Sequence, residues 1–341
     1  MRAAAYPGDH SFPQDIGEDL PLNRAFITGI GGFAGSHLAE FLLENTDWEI
    51  SGLIHRSAEN VAHIQAKIHL VQGNLGNYQE VEGILAQIRP NYIFHLAASA
   101  FVPDAWKNPW EVFENNVRGQ LNILQAVVKL KLEPRILVVG SYEEYGTVKE
   151  EDLPIREDAP LRPNNPYGVS KIAQDFLGLQ FHLSHGLYIV RVRPFNHTGP
   201  RQRPDFVIPA FARQLAEAEA GLRPPVIKVG NLFPKRDFTD VRDVVRAYYL
   251  AITKGKPGEV YNIGSGKAYS IKEMLEMLLQ MSKIEVNVEQ DQALMRPSDV
   301  PVSLCDYSKI RRDTGWEPSI PIRKTLEDVL DYWREKVKEV K

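Results

Sequence analysis

Tyr167 and Lys171 stand four residues apart in the stretch Asn165-Pro166-Tyr167-Gly168-Val169-Ser170-Lys171. On a helix that spacing puts a phenol and an ammonium on one face. A neighbouring cation favours the phenolate. The spacing therefore predicts a tyrosine hydroxyl tuned from its ordinary pKa of about 10 toward neutral pH. Such a group can move a proton on or off an alcohol or sugar oxygen. A second hydroxyl, Ser141, follows the apolar run Arg135-Ile136-Leu137-Val138-Val139-Gly140. There it can hydrogen-bond an oxygen that gains charge as hydride moves. Glu143, two residues on, is a possible base. The plain alternatives are a surface Tyr/Lys pair and a carboxylate held in a structural hydrogen bond.

These side chains need elements to position them. Arg24-Ala25-Phe26-Ile27-Thr28 is a short apolar run ending at Gly29, and the spacing of Phe33, Leu38, Phe41 and Leu42 after it is helical. Gly29, Gly32 and Gly35 are spaced G-x-x-G-x-x-G between strand and helix. Glycines there allow a tight turn and close approach of a pyrophosphate to a helix N-terminus. A second strand, Trp48 to Ile54, leads to His55-Arg56-Ser57. In a dinucleotide fold an acid at that place reads NAD, and an arginine accommodates the 2′-phosphate of NADP. Arg56 favours NADP(H), with NAD(H) the alternative. A third strand spans Ile68 to Leu75, with Asn74 placed to meet an adenine edge. A fourth, Pro90 to Ser99, ends in the small residues Ala97-Ala98-Ser99, over which a flat cofactor can pass. A single helix is expected from Trp106 to Lys131, a fifth strand from Arg135 to Ser141 and a sixth from Tyr188 to Arg193. Strand–helix alternation predicts an α/β fold, a Rossmann-type doubly wound parallel sheet with ligands at the strands' carboxyl ends.

Beyond Pro194 the alternation gives way to prolines, arginines and short strands, Val226–Asn231 and Arg236–Val241, and to helices near Asp243–Thr253 and Ile271–Met281. This predicts a smaller C-terminal α/β lobe. The division expected is an N-terminal extension, residues 1–22, and a dinucleotide-binding domain, residues 23–195 with a returning segment at about 235–265. Residues 196–234 and 266–341 form the lobe. Lys228, Arg236 and Arg296 are separated cations that could grip a second phosphorylated ligand. The alternative is scattered surface charge.

Composition narrows the class. The chain has 341 residues, 43% hydrophobic and 25% charged, with a formal net charge of -4, so no basic excess points to nucleic acid. Its single cysteine, Cys305, rules out an internal disulfide and a cysteine metal cluster. No histidine pair has metal-ligand spacing, and no metal is expected. No apolar run approaches the roughly 20 residues that cross a bilayer. A soluble cytoplasmic protein is the expectation.

The ordered set Thr28 to Leu38 (T-G-x-x-G-F-x-G-S-H-L), His95 to Ala98 (H-L-A-A), Ser141, Tyr167/Lys171 and Arg193 to His197 (R-P-F-N-H) resembles the extended short-chain dehydrogenase/reductases. Those enzymes modify nucleotide sugars. Ser141 to Gly146, Phe195 to Pro200, Ile227 to Leu232, Arg236 to Asp243 and Arg296 to Pro301 are most similar to the branch acting on GDP-mannose derivatives.

The resemblance implies a catalytic set of Ser141, Tyr167 and Lys171, with Glu143 beside it. It implies cofactor contacts from Gly29, Gly32, Phe33, Gly35, Arg56, Asn74, Leu75, Leu96, Ala97, Ala98, Tyr167, Lys171, Pro194 and Asn196. It implies GDP-sugar contacts from Ser99, Asn196, Val207, Lys228, Arg236, Arg296 and Asp299. A homodimer through helices at Val112–Leu130 and Ile172–His182 is also implied. Asn74 departs from the family's usual aspartate. Tyr142 departs from the small hydroxyl or aspartate that dehydratases of this branch carry between the catalytic hydroxyl and the glutamate. The implied activity is reduction of the C4 ketone of GDP-4-keto-6-deoxy-D-mannose to a GDP-6-deoxyhexose of the GDP-D-rhamnose type. The alternatives are 4,6-dehydration of GDP-mannose, 4-epimerisation of a nucleotide sugar, and a non-catalytic NADP sensor.

Overall fold

The computed structural model describes residues 23–55, 57–295 and 300–339. Arg56, Arg296, Asp299 and the extension 1–22 lie outside the described residues. The first half alternates as expected. β1 (Arg24–Thr28), α1 (Phe33–Asn45), β2 (Glu49–Ile54) and β3 (His69–Gln72) are followed by α2 (Tyr78–Ile88) and β4 (Tyr92–His95). Then come α3 (Val102–Lys107), α4 (Pro109–Lys129), β5 (Arg135–Val139), α5 (Pro166–His185) and β6 (Tyr188–Pro194). The central strands are continuous apolar runs because helices cover both sheet faces.

The second half builds the lobe and returns once to the main sheet. β7 (Asn196–Thr198), α6 (Val207–Glu219), β8 (Val226–Val229) and β9 (Lys235–Asp240) belong to the lobe. α7 (Val241–Lys254) and β10 (Val260–Ile263) return to the sheet. β11 (Ala268–Ser270), α8 (Ile271–Leu279), β12 (Asn287–Gln290), α9 (Ser308–Thr314) and α10 (Ile322–Glu339) complete the described chain.

Seven parallel strands form the main sheet in the order β3-β2-β1-β4-β5-β6-β10. The chain reverses its direction of travel between β1 and β4, where such sheets open a crevice at their carboxyl ends. Leu38 and Leu42 of α1 pack with Val244 and Tyr248 of α7 in one core. Leu85 of α2, Leu124 of α4 and Phe181 of α5 fill another. In the lobe, β9 lies between β7 and β11, β8 pairs with β12, and Phe211, Met274 and Leu330 knit α6, α8 and α10 together.

Three details differ from expectation. The helix expected from Trp106 to Lys131 is two, because Pro109 drives the preceding Asn108 out of helical conformation, to φ -133° and ψ 65°. Residues 235–240, expected in the returning segment, form β9 in the small sheet instead. Ile310 and Trp316, expected in the lobe, pack into the main core beside Tyr248, where the Trp316 indole donates to the Asp243 carbonyl at 2.9 Å.

Candidate active site

The crevice begins at the glycine turn. Gly29 ends β1 at φ +73°, and a Cβ built on Gly35 would lie 2.2 Å from the Gly29 carbonyl oxygen. Only hydrogen fits there, so the first turn of α1 sits directly on the turn. That helix has no side-chain cap and no acidic residue in its first turn. Its leading N–H groups and the positive end of its dipole face the crevice, the arrangement that takes a pyrophosphate. Phe33 stacks at 5.9 Å on His197, which follows β6 in β7, and so joins this turn to the lobe.

β5 and α5 bring the proposed acid/base group to the neighbouring strand end. Asn165 caps α5: its side-chain carbonyl accepts from the Gly168 N–H at 2.8 Å, and Pro166 occupies the first turn. Tyr167 and Lys171 therefore enter the helix in fixed register. Ser141 follows β5 with its N–H bonded to the Glu144 carboxylate at 2.8 Å, and its hydroxyl hydrogen-bonds Tyr167. These two hydroxyls meet as expected.

The lysine does something else. Its ammonium donates to the Val139 carbonyl and the Gln174 side-chain oxygen, each at 2.8 Å, and stands 5.9 Å from the Tyr167 ring centre. Burial holds its pKa down at about 8. The expectation that Lys171 drives Tyr167 toward neutral pH is thus corrected. Burial dominates and raises the phenol's pKa, the Ser141 bond lowers it, and the charges of Glu143 and Glu144 raise it. Tyr167 is a held proton.

Beside this pair, Tyr142 is buried and stacks on Phe195 at 5.2 Å with 23° between the rings. Its hydroxyl hydrogen-bonds the Glu143 carboxylate and receives a bond from Asn196. Burial and Glu143 push its pKa up, and the nearby Arg236 charge opposes them. Tyr142, Glu143, Asn196 and Arg236 thus share one place. Glu143 also accepts from the Asn165 amide at 2.7 Å, while the Asn196 side-chain oxygen is buried with no partner among the described residues.

Sequence reasoning missed the charge cluster below these groups. Arg193, two residues after Arg191 on β6, donates to Asp175 of α5 at 2.6 and 2.8 Å. Arg191 donates to the other Asp175 oxygen at 2.5 Å. Glu144 lies 2.9 Å from the Arg193 Nε, but that N–H is aimed at Asp175, so the contact is an ion pair without a directed hydrogen bond. Burial, then the Asp175 charge, raise Glu144 to about 8 against the pull of Arg193. Burial also favours neutral Asp175, but the two arginines prevail and its pKa falls. Alternate strand residues share a face. The R-x-R pattern inside an apolar strand was therefore the available signal for a buried acid.

The remaining expected residues take varied positions. Ala97, at the end of β4, packs on Gly29, with its Cα 3.0 Å from where a Gly29 Cβ would be. Leu96 and Ala98 flank it, and Pro194 closes β6. Ser99 exchanges backbone bonds with the Asn116 side chain at 2.7 and 3.3 Å. Leu75 lies against Gly119 of α4. Asn74 is exposed, its side-chain oxygen accepting from the Gly76 N–H at 2.9 Å. Val207 opens α6. Lys228 is exposed on β8, 3.7 Å from Asp291, and Arg236 on β9 donates to the Val300 carbonyl. The described residues contain no group of three or more His, Cys, Asp or Glu able to hold a metal.

A family model described as GDP-mannose 4,6 dehydratase matches residues 26–329. The chain belongs to that family. A GDP-6-deoxy-D-mannose reductase of Pseudomonas aeruginosa is 35% identical over 317 residues, covering 93% of this chain and 99% of its own length. A GDP-mannose 4,6-dehydratase of Vibrio cholerae is 27% identical, with 90% and 92% covered. Among solved structures, RMD from Pseudomonas aeruginosa complexed with NADPH superposes with a TM-score of 0.82 at 33% identity, over 92% of this chain and 99% of that one. No described helix is long and apolar enough to cross a membrane.

Proposed function

We propose that this chain uses NADPH to reduce the C4 ketone of a GDP-linked 4-keto-6-deoxyhexose, giving a GDP-6-deoxyhexose of the GDP-D-rhamnose type. The observation that carries it is Tyr142. Its buried phenol occupies the space beside Glu143 and hydrogen-bonds that carboxylate. Dehydration would need Glu143 free to take a proton from the sugar and a second small acid next to it. Reduction needs neither. A protonated Tyr167 against Ser141 also suits a step that delivers a proton. The reductase likeness at 35% identity supports the same reading. The dehydratase reading keeps one observation in its favour, the presence of Glu143 itself.

The glycine turn with its uncapped helix fits a dinucleotide pyrophosphate, so Gly29, Gly32 and Gly35 would hold it, with Phe33, Asn74, Leu75, Leu96, Ala97, Ala98, Pro194 and Asn196 around the rest. Arg56, outside the described residues, follows β2 in the sequence with no acid beside it, the pattern expected where a 2′-phosphate is accommodated. Bound NADPH supplies a hydride to C4. Tyr167 gives its proton to the C4 oxygen, and Ser141 hydrogen-bonds the same oxygen, a contribution of about 2–4 kcal/mol at such a site. Lys171 has a third N–H left for the nicotinamide ribose. Asn196, Lys228 and Arg236, with Ser99 and Val207, would form the GDP-sugar side; Arg296 and Asp299, outside the described residues, are assigned to it by the resemblance alone, and the main sheet and the lobe would divide cofactor from sugar. Replacing NADPH by its 4-deuterated form tests the hydride step: deuterium should appear at C4 of the product sugar, and its absence there refutes the assignment. Gly35→Ala should weaken NADPH about tenfold or more, because its methyl meets backbone rather than a movable side chain. A fluorescence titration giving unchanged affinity counts against that turn as the pyrophosphate site.

The working unit is a homodimer through α4 and α5. Val169, Phe176 and Leu183 fall seven apart along α5, and Phe176 and Leu183 are 50% and 73% exposed. That is one apolar stripe. Trp110, 70% exposed, and Phe113 stack on α4. Light scattering should give twice the chain mass for the wild type and the single-chain mass for Leu183→Asp. A monomeric wild type removes the idea. The cytoplasm fits a protein using NADPH whose one thiol, Cys305, is buried and unpaired.

A further inference from the structure

We propose that Gln174 is a positioning residue for the reaction: its amide fixes the Lys171 ammonium and, through His95, ties it to the glycine turn. This inference rests on the reductase reading. Gln174 lies one turn beyond Lys171 on α5 and is almost wholly buried. Its side-chain oxygen accepts from the ammonium at 2.8 Å. An ammonium only donates, so the amide must present its oxygen there and its NH2 on the other side. That side holds the His95 Nε2 at 3.4 Å. His95 must then accept at Nε2 and carry its proton on Nδ1, which lies 2.9 Å from the Thr28 hydroxyl. Burial, then the Lys171 charge, hold His95 neutral, at about 3. Thr28 in turn accepts from the Ala97 N–H at 3.2 Å and is followed by Gly29. The chain of bonds therefore crosses β1, β4 and α5, from the turn facing the pyrophosphate to the lysine facing the nicotinamide ribose. The Gln120 amide, from α4, holds the Gln174 carbonyl at 2.6 Å and fixes the helix at that turn.

Lys171 has just two protein acceptors, Val139 and Gln174, among the described residues. The titratable groups facing it are Glu144 from the turn after β5, His95 from β4 and Tyr167 on its own helix. Burial of the ammonium is opposed by Glu144 alone, so losing an acceptor favours the neutral amine and adding a carboxylate favours the ion.

The experiment is the pH profile of kcat/KM for reduction of GDP-4-keto-6-deoxymannose by NADPH, with wild type, Q174L, Q174E and, as a control, Q79E on the exposed start of α2. The wild-type basic limb should fall near pH 8, where Lys171 loses its proton. Q174L should move that limb to lower pH and Q174E to higher pH, each by about one unit, with Q79E unchanged. If Q174L does not fold, the direction of the Q174E shift decides. A loss of activity that is uniform across pH, or a shift of Q174E to lower pH, overturns the proposal. An inactive wild type instead refutes the reductase reading and leaves no profile to compare.

Discussion

Tyr167→Phe is expected to lower turnover of the ketosugar by about 10²–10⁴-fold, the usual worth of a placed general acid, while leaving NADPH affinity within a factor of about two. The reasoning is local. The ring packs against Ala105 and Val112 and keeps those contacts as phenylalanine. What goes is the one proton that burial keeps on the oxygen beside Ser141. Water cannot replace it readily at a site this enclosed. Steady-state rates with a parallel cofactor titration check it. A variant retaining more than about a tenth of wild-type turnover would show that the proton comes from elsewhere.

The second large effect concerns stability. Arg193→Met should cost about 3–5 kcal/mol, the penalty for removing one partner of a buried ion pair. The methionine fills much of the space but leaves Asp175 with Arg191 alone and takes from Glu144 its nearest cation. Because Glu144 also holds the Ser141 N–H, activity should fall along with stability. Denaturant midpoints measure the first effect. Adding Glu144→Gln to the variant should recover part of the loss above about pH 8, where the Glu144 carboxyl would otherwise have to ionise without its Arg193 partner. If Arg193→Met costs less than about 1 kcal/mol, the cluster is not the tie described here.

Much of this was legible in the sequence, because both periodicity and punctuation were clean. Glycines at 29, 32 and 35 between an apolar strand and an amphipathic helix could be read directly, and the sheet followed from strand–helix alternation. Tyr167, Ser141 and Lys171 do meet at one strand end. What spacing could not convey was the competition for Lys171. Sequence places the ammonium on the tyrosine's face, but three-dimensional packing offers it the Val139 carbonyl and Gln174, and burial then governs the phenol. The R-x-R of β6 was visible, but its partner Asp175 is sixteen or more residues away and lies on another element. The helix break at Asn108 is also written in the sequence, as Pro109, which disfavours helical conformation in the residue before it. Trp316 shows the reverse case. An aromatic beyond the returning strand packs back into the main core through α7, which no local pattern announces.

Tyr142 remains the residue on which the account turns, and one comparison tests it. The protein is mixed with GDP-mannose and NADP+, and separately with GDP-4-keto-6-deoxymannose and NADPH, and both the cofactor absorbance and the sugars are followed. The account predicts stoichiometric loss of NADPH with one GDP-6-deoxyhexose formed per cofactor in the second mixture, and no ketosugar in the first. Ketosugar appearing in the first mixture with no net change in cofactor, and an inert second mixture, would contradict it.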